Sequence, residues 1–250
     1  MISVQQVTVH YDQTQALWDI CLDKIPAGQL VGVIGPNGGG KSTFLKVLMG
    51  LIKPISGKVC FSDPEAKKKI AYVPQKESVD WEFPITAFEL VLMGRYGQLR
   101  LFQRPRKADI EAAKAALEKV KMLSFADRQI NQLSGGQQQR LFFARALMQN
   151  ADIYLLDEPF SGIDVSTEKI LMDLLKTLRD QGKTILIVHH DLTTVRDYFD
   201  WLILLNTRLI ASGPTQEVFQ EGHLIKCFGK HPALFEEVVK LSERQTSGIL

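Results

Sequence analysis

Apolar and polar positions change period several times along this chain, and each change predicts a different element. Near the N-terminus they alternate: Val7 and Val9, then Ile20 and Leu22, stand apart from polar neighbours. A period of two predicts half-exposed antiparallel strands. Leu30-Val31-Gly32-Val33-Ile34 is apolar on both faces, as a buried parallel strand requires. Phe44, Leu45, Leu48 and Met49 then recur at helical spacing. Ile70-Ala71-Tyr72-Val73, Ile153 to Leu156 and Thr184 to Val188 predict further short strands. Trp201 to Leu205 and Leu209 to Ala211 flank a turn at Asn206-Thr207 and predict a closing hairpin. Strands alternating with helices point to an α/β fold, a mainly parallel sheet with an antiparallel N-terminal β part.

Residues 78–128 break that rhythm and read as helical. Thr86-Ala87-Phe88-Glu89 has capping-box spacing, and Ile110, Ala113, Leu117 and Val120 mark one face of a later helix. The pattern predicts one domain with a core of residues 1–77 and 129–220, a helical subdomain at 78–128, and a C-terminal extension at 221–250. That extension weakens into short amphipathic pieces and a polar tail. No repeat or low-complexity tract interrupts the chain.

Composition narrows the class without deciding it. At 250 residues the chain can bury one sizeable core, and 45% hydrophobic residues is ordinary for a globular protein. A net charge of +2 gives no pull toward nucleic acid. No apolar run approaches the roughly 20 residues that span a bilayer. Met1-Ile2-Ser3-Val4-Gln5 lacks the basic and apolar regions of a signal peptide. Cys21, Cys60 and Cys227 are far apart and odd in number, which fits a reducing cytoplasm better than a disulfide framework. A role at a membrane would therefore come from docking on another chain.

The chemistry begins at Gly35-Pro36-Asn37-Gly38-Gly39-Gly40-Lys41-Ser42-Thr43, which fits the phosphate-loop pattern G-x-x-x-x-G-K-[ST]. Its glycines let backbone N–H groups approach phosphate oxygens, and the following helix points its positive end there. Lys41 would reach the β- and γ-phosphates, and the Ser42 hydroxyl would ligate Mg²⁺. A strand before and a helix after the loop argue against a chance match. Asp157 and Glu158 end a strand with four apolar residues behind them. A carboxylate at the carboxyl edge of a parallel strand faces the ligand crevice. Alone the pair would read equally well as an acidic turn before Pro159. Ser134-Gly135-Gly136-Gln137 has the S-x-x-Q capping-box form and should open a helix through Arg140, Leu141, Ala144 and Leu147. Helix capping does not explain two glycines in the first turn, which cost helix stability. Bare N–H groups at that end suit a closely approaching phosphate.

A phosphate loop, a Ser-Gly-Gly-Gln turn and an apolar strand ending in Asp-Glu, in that order, resemble the ATP-binding cassette (ABC) ATPases. The resemblance covers most of the chain. It implies an ABC-type P-loop ATPase core plus a helical subdomain, with ATP and Mg²⁺ bound. By resemblance Asp157 holds Mg²⁺ and Glu158 polarises the attacking water. Tyr11 matches the aromatic that stacks on adenine. Gln75, in Tyr72-Val73-Pro74-Gln75, matches the glutamine linking Mg²⁺ and water to the helical insertion. His190 matches the switch histidine near the γ-phosphate; His189 competes, but Asp191 directly after His190 selects the latter. Gly39 stands where this family more often has alanine, which predicts a looser loop. Ser161-Gly162-Ile163-Asp164 resembles the D-loop, with Asp164 touching the opposite subunit. The Ser134 to Gln137 turn would serve the partner's nucleotide, which implies an ATP-driven head-to-tail homodimer.

A single cassette without a membrane span implies separate integral permease subunits, with the chain peripheral at the cytoplasmic face. Ser78 to Thr86, Met93-Gly94-Arg95-Tyr96-Gly97 and the His189-His190 pair are similar to ATPase subunits of bacterial manganese, zinc and iron importers. That implies an extracytoplasmic metal-binding receptor as an indirect partner. Trp81, Phe83 and Phe88 suit either capture of a permease helix or a small core within the insertion. His223, Cys227 and His231 are spaced four apart, but Gly229 and Pro232 interrupt their helix and no strong ligand spacing emerges. Competing readings are a non-transport ABC ATPase acting on DNA or ribosomes, an importer subunit for a non-metal solute, and a non-hydrolysing nucleotide switch. The first usually carries paired cassettes or coiled-coil insertions, and Glu158 argues against the last. A kinase or GTPase would leave Leu133 to Gln137 unexplained.

Overall fold

The computed structural model describes residues 1–63, 65, 69–100 and 102–229. The chain divides into two compact units, residues 1–67 with 186–250, and residues 68–185.

In the first unit, β1 (Ile2–Tyr11) pairs antiparallel with β2 (Thr14–Ile25), with Val4 opposite Leu22 and Val7 opposite Ile20. The alternating valines and their partners are buried, as the period of two predicts. The other edge of β1 carries β4 (Ser56–Phe61), a strand the hydrophobic pattern does not announce. Its first half is exposed and its second only half-buried, so it has no clean alternation. Gly57, at φ +81°, is required there because a Cβ would lie 2.3 Å from the Gln5 and Gln6 carbonyl oxygens. Strand β3 (Leu30–Ile34) is buried at every position and pairs parallel with β8 (Trp201–Asn206). Strand β8 turns antiparallel into β9 (Arg208–Pro214) at Thr207, the predicted hairpin. Helix α1 (Lys41–Met49) follows β3 and buries Phe44, Leu45 and Leu48. Short helices α6 (Val195–Tyr198) and α7 (Thr215–Val218) precede α8 (Glu221–Phe228).

In the second unit, β5 (Ile70–Val73) and β6 (Ile153–Asp157) pair parallel, Ile70 opposite Ile153 and Val73 opposite Leu156. Helices α2 (Ala87–Met93), α3 (Lys107–Lys119) and α4 (Gly135–Met148) pack on one another. Thr86 caps α2 through both bonds of the capping box, as its sequence predicts. Gly94 ends α2 against α4, where a Cβ would lie 2.3 Å from the Arg145 carbonyl oxygen. Arg95 then bridges to the start of α3 by donating from Nε to Asp109 at 2.8 Å. Helix α5 (Val165–Asp180) buries Leu171, Met172, Leu175 and Leu178 at helical spacing. Strand β7 (Thr184–His189) is buried throughout, and the division between the units falls within it. No described helix is long and apolar enough to cross a membrane.

Candidate functional site

The phosphate loop lies in the first unit, and its glycines are dictated by their surroundings. A Cβ at Gly35 would sit 1.8 Å from the Leu205 carbonyl oxygen, and one at Gly40 would sit 2.4 Å from that of Ala16. Gly38 and Gly40 hold φ +75° and +89°, conformations open to glycine at little cost. Gly40 is the N-cap of α1 and offers no side-chain bond, and the first turn has no acidic residue. The helix thus begins without a side-chain cap and with its positive end at the loop, the arrangement an anion needs. The Lys41 ammonium is buried and donates to the carbonyls of Gly35 at 2.9 Å and Pro36 at 2.8 Å.

At Gly39 the expected loosening is not what the geometry displays. An alanine methyl would lie 2.9 Å from the Pro36 oxygen, across which Gly39 N–H donates at 3.0 Å. Glycine therefore lets the loop fold closer than alanine would. Tyr11 comes to the same end of α1, with the Thr43 hydroxyl 3.5 Å from its own, and the residue is 46% exposed. Asn37 and Ser42 complete the loop between Pro36 and Thr43.

The two adjacent histidines have opposite environments. His189 is buried at the end of β7, hydrogen-bonded from Nε2 to the Thr194 hydroxyl at 2.8 Å and packed edge-on to Phe199. Burial lowers its pKa to about 4, so it stays neutral near pH 7. His190 is exposed, its ring parallel to that of His189. Of the pair, His190 is the one open to a ligand.

The second unit carries the carboxylates. Asp157 ends β6 in a buried position and accepts from the Tyr72 hydroxyl at 3.2 Å. Burial first, then the Asp157 charge, raises the Tyr72 hydroxyl well above its usual range, so it remains a donor. Tyr72 was legible only as a strand residue; its pairing with Asp157 follows from the parallel register of β5 and β6. Glu158 accepts from Gln75 Nε2 at 3.2 Å, which brings these two predicted residues together. Glu158 also holds φ +50°, a backbone state that costs a non-glycine residue on the order of 1–3 kcal/mol. Strain of that kind concentrates where a side chain must be aimed.

Ser134 caps α4 with both bonds of the capping box: its hydroxyl accepts from Gln137 N–H at 3.4 Å, and Gln137 Oε1 accepts from Ser134 N–H at 2.9 Å. Gly135 and Gly136 follow. A Cβ at Gly135 would meet only the mobile end of Lys76 at 2.7 Å, and one at Gly136 would meet nothing nearer than 3.5 Å. Asp164 caps α5, accepting from the Thr167 N–H at 3.0 Å and the Thr167 hydroxyl at 2.8 Å. The Ser166 and Thr167 hydroxyls, with the Thr167 N–H, hold its carboxyl far below the usual range. The residue expected to reach an opposite subunit thus has a role within its own chain.

Trp81 packs edge-on to Phe142 of α4 and donates to the Lys76 carbonyl at 3.0 Å, so it belongs to the helical packing. Phe83, Met93 and Tyr96 are exposed. His223 lies against the Val218 carbonyl at 3.1 Å while Cys227 is buried, and His231 lies outside the described residues. Among the described residues no group of three or more His, Cys, Asp and Glu is arranged to hold a metal ion.

Comparison with known proteins agrees with this geometry. A family model described as ABC transporter matches residues 22–161, more than half of the chain. The manganese transport system ATP-binding protein MntB of Bacillus subtilis (strain 168) is 54% identical over 231 residues, covering 91% of this chain and 92% of that protein. The zinc transport system ATP-binding protein TroB of Treponema pallidum (strain Nichols) is 50% identical over 231 residues, covering 91% of this chain and 86% of that one. Among solved structures, the dimeric bacterial ABC transporter cassette MJ0796 superposes with a TM-score of 0.76 at 31% identity, over 86% of this chain and 98% of that one. Its post-hydrolysis dimer bound to ADP and Pi gives 0.75 at 31% identity, over the same 86% and 98%. With the cassette fold, the phosphate loop and the Ser134 turn in place, this chain belongs to the ABC transporter family of ATP-binding proteins.

Proposed function

We propose that this chain is the Mg²⁺-dependent, ATP-hydrolysing subunit of a membrane importer for divalent metal ions, with manganese the first candidate cargo, then zinc, then iron. The observation that carries the metal assignment is the 54% identity, across nearly the whole of both chains, to a protein named for manganese transport. The 50% identical relative named for zinc transport keeps zinc close behind.

Each residue's role follows from its chemistry. The N–H groups of Gly38 and Gly40, with Lys41, bind the phosphates while the Gly39 N–H closes the loop onto Pro36, and exposed Tyr11 serves the adenine. The Ser42 hydroxyl and the Asp157 carboxylate are hard oxygen donors, the kind Mg²⁺ prefers. Mg²⁺ held by such donors would neutralise charge on the phosphate oxygens. Gln75 orients Glu158, which accepts a proton from the attacking water, and His190 donates toward the γ-phosphate.

The glycines of the Ser134 turn support a homodimer in which that turn meets the partner's nucleotide, since among the described residues a side chain at Gly135 would displace a lysine end and one at Gly136 would make ordinary contacts. ATP would close this head-to-tail dimer, and closure would move the permease. An open cavity of about 770 Å³ lined by Met93, Gly94, Gly97, Arg145 and the ion-paired Asp152 and Lys183 lies at the Met93 to Gly97 stretch, where the permease would dock. The chain would then sit peripherally at the cytoplasmic face, with an extracytoplasmic metal receptor acting through the permease.

Glu158→Gln tests the hydrolytic role. ATP binding should persist, turnover should fall on the order of 10²–10³-fold, and an ATP-bound dimer should accumulate. Hydrolysis near the wild-type rate removes Glu158 from that role. For cargo, the chain reconstituted with its permease and receptor should show ATP turnover stimulated by manganese, zinc or iron. Stimulation by another solute and by none of these three overturns the metal assignment.

A further inference from the structure

Helix α8 has no part in the roles above, yet its contacts lead to the phosphate loop. Cys227 is fully buried, its thiol 3.8 Å from the Leu205 carbonyl oxygen. That oxygen is the atom that forbids a side chain at Gly35 and crowds one at Gly39. One residue on, Asn206 Nδ2 donates to the Cys227 carbonyl at 2.8 Å. One further, Thr207 N–H donates to the Gly39 carbonyl at 2.9 Å, and its own carbonyl accepts from Trp18 N–H at 2.7 Å. Leu205 and Asn206 at the end of β8 and Thr207 just after it thus form a run that meets α8 through Leu205 and Asn206 and the phosphate loop through Leu205 and Thr207. Thr207 holds φ +56°, an outlying conformation for a β-branched residue. Such a turn persists only while its surroundings over-determine it. Burial raises the Cys227 thiol to about 12.

We propose that Asn206 and Thr207 are positioning residues that couple the docking of α8 to the nucleotide-binding form of the phosphate loop. Undocking α8 removes the anchor of Asn206, frees the strained turn and lets the Thr207 to Gly39 bond open. Nucleotide would then have to reorder the loop as it binds. Docked α8 and bound nucleotide consequently favour each other, and by linkage they do so by the same factor. The inference rests on the phosphate loop binding nucleotide, as proposed above.

Cys227 is the built-in reporter, and exposed Cys21 is the internal reference. The full chain is labelled with N-ethylmaleimide, with and without saturating Mg·ADP, and each cysteine is followed by peptide mass spectrometry. ADP affinity is measured in parallel by calorimetry. Saturating ADP should slow Cys227 labelling relative to Cys21 by about fivefold or more. Asn206→Ala should speed Cys227 labelling without ADP and weaken ADP binding by a similar factor. Faster labelling with unchanged ADP affinity would make Asn206 a mere anchor for α8 and overturn the coupling. Measured ADP binding with no protection of Cys227 in the wild type overturns it equally, and this arm decides the matter if Asn206→Ala does not fold. Calorimetry that detects no ADP binding to the wild type overturns the nucleotide reading itself, a separate result.

Discussion

At the start of α1 the chain supplies no side-chain cap, and Gly35, Gly39 and Gly40 are hemmed in by backbone. At the start of α4 the cap is complete, and its glycines have room. Gly35 and Gly40 stand 1.8 and 2.4 Å, at their Cβ positions, from carbonyl oxygens of distant strands. Gly135 faces only a lysine end, and Gly136 faces ordinary contacts at 3.5 Å and beyond. The first set is demanded by the fold of this chain. The second costs helix propensity without any backbone contact among the described residues that requires it, which points to something outside the monomer. Glycine thus carries two different messages in one molecule, and only the surroundings tell them apart.

The sharpest way to break this comparison is Gly35→Ala. A methyl 1.8 Å from a backbone oxygen cannot be absorbed by a side-chain shift, so the loop must leave its place. Distortion on the order of 3 kcal/mol or more is expected, and nucleotide affinity should fall about a hundredfold or further. Titration of a fluorescent ADP analogue measures it; near-normal affinity would show that the loop does not depend on this packing.

Ser134→Arg comes next and probes the other site. It removes the α4 cap at a cost of about 1 kcal/mol of monomer stability. Monomer affinity for ATP should hardly change, while light scattering should show that the ATP-dependent dimer no longer forms. An equal loss of ATP affinity in the monomer would place the turn's role within one chain.

Gly39→Ala should give a milder version of the first result. Its methyl would press on the Pro36 carbonyl at 2.9 Å, so affinity should drop a few-fold, about 1 kcal/mol. Gly136→Ala sharpens the contrast with the smallest change in the monomer. Thermal or denaturant unfolding should show a gain of about 0.5–1 kcal/mol, with monomer ADP affinity unchanged. ATP turnover should nonetheless fall, because the added methyl stands where a partner's phosphate would approach. A destabilised monomer would mean that Gly136 is required by its own fold.

Local chemistry was readable wherever neighbours in sequence are also the deciding neighbours in space. The capping boxes at Thr86 and Ser134 formed as their spacing predicts, because cap and donor lie within four residues. The buried strands β3, β6 and β7 declared themselves as apolar runs, and the β8–β9 hairpin as two runs around Asn206-Thr207. The chemical inventory was equally plain, since the phosphate loop and the Asp157-Glu158 pair are contiguous motifs.

What the sequence did not contain was the identity of distant partners. Strand β4 escaped notice because an edge strand with an exposed half has no periodic signature; its place depends on bonds to β1, about fifty residues earlier. Trp81 reads equally as a docking aromatic until α4 brings Phe142 against it. His189 and His190 are the same residue type side by side, and motif position alone favoured the second. Packing against Phe199 and a bond to Thr194 bury the first and leave the second exposed. Sequence by itself determined the periodic elements and pointed to the family, because hydrophobic period and short motifs are local. Tertiary structure alone decided which glycines are obligatory, which histidine is open and what stands behind the phosphate loop. Those answers depend on contacts a few ångströms long between residues far apart in the chain.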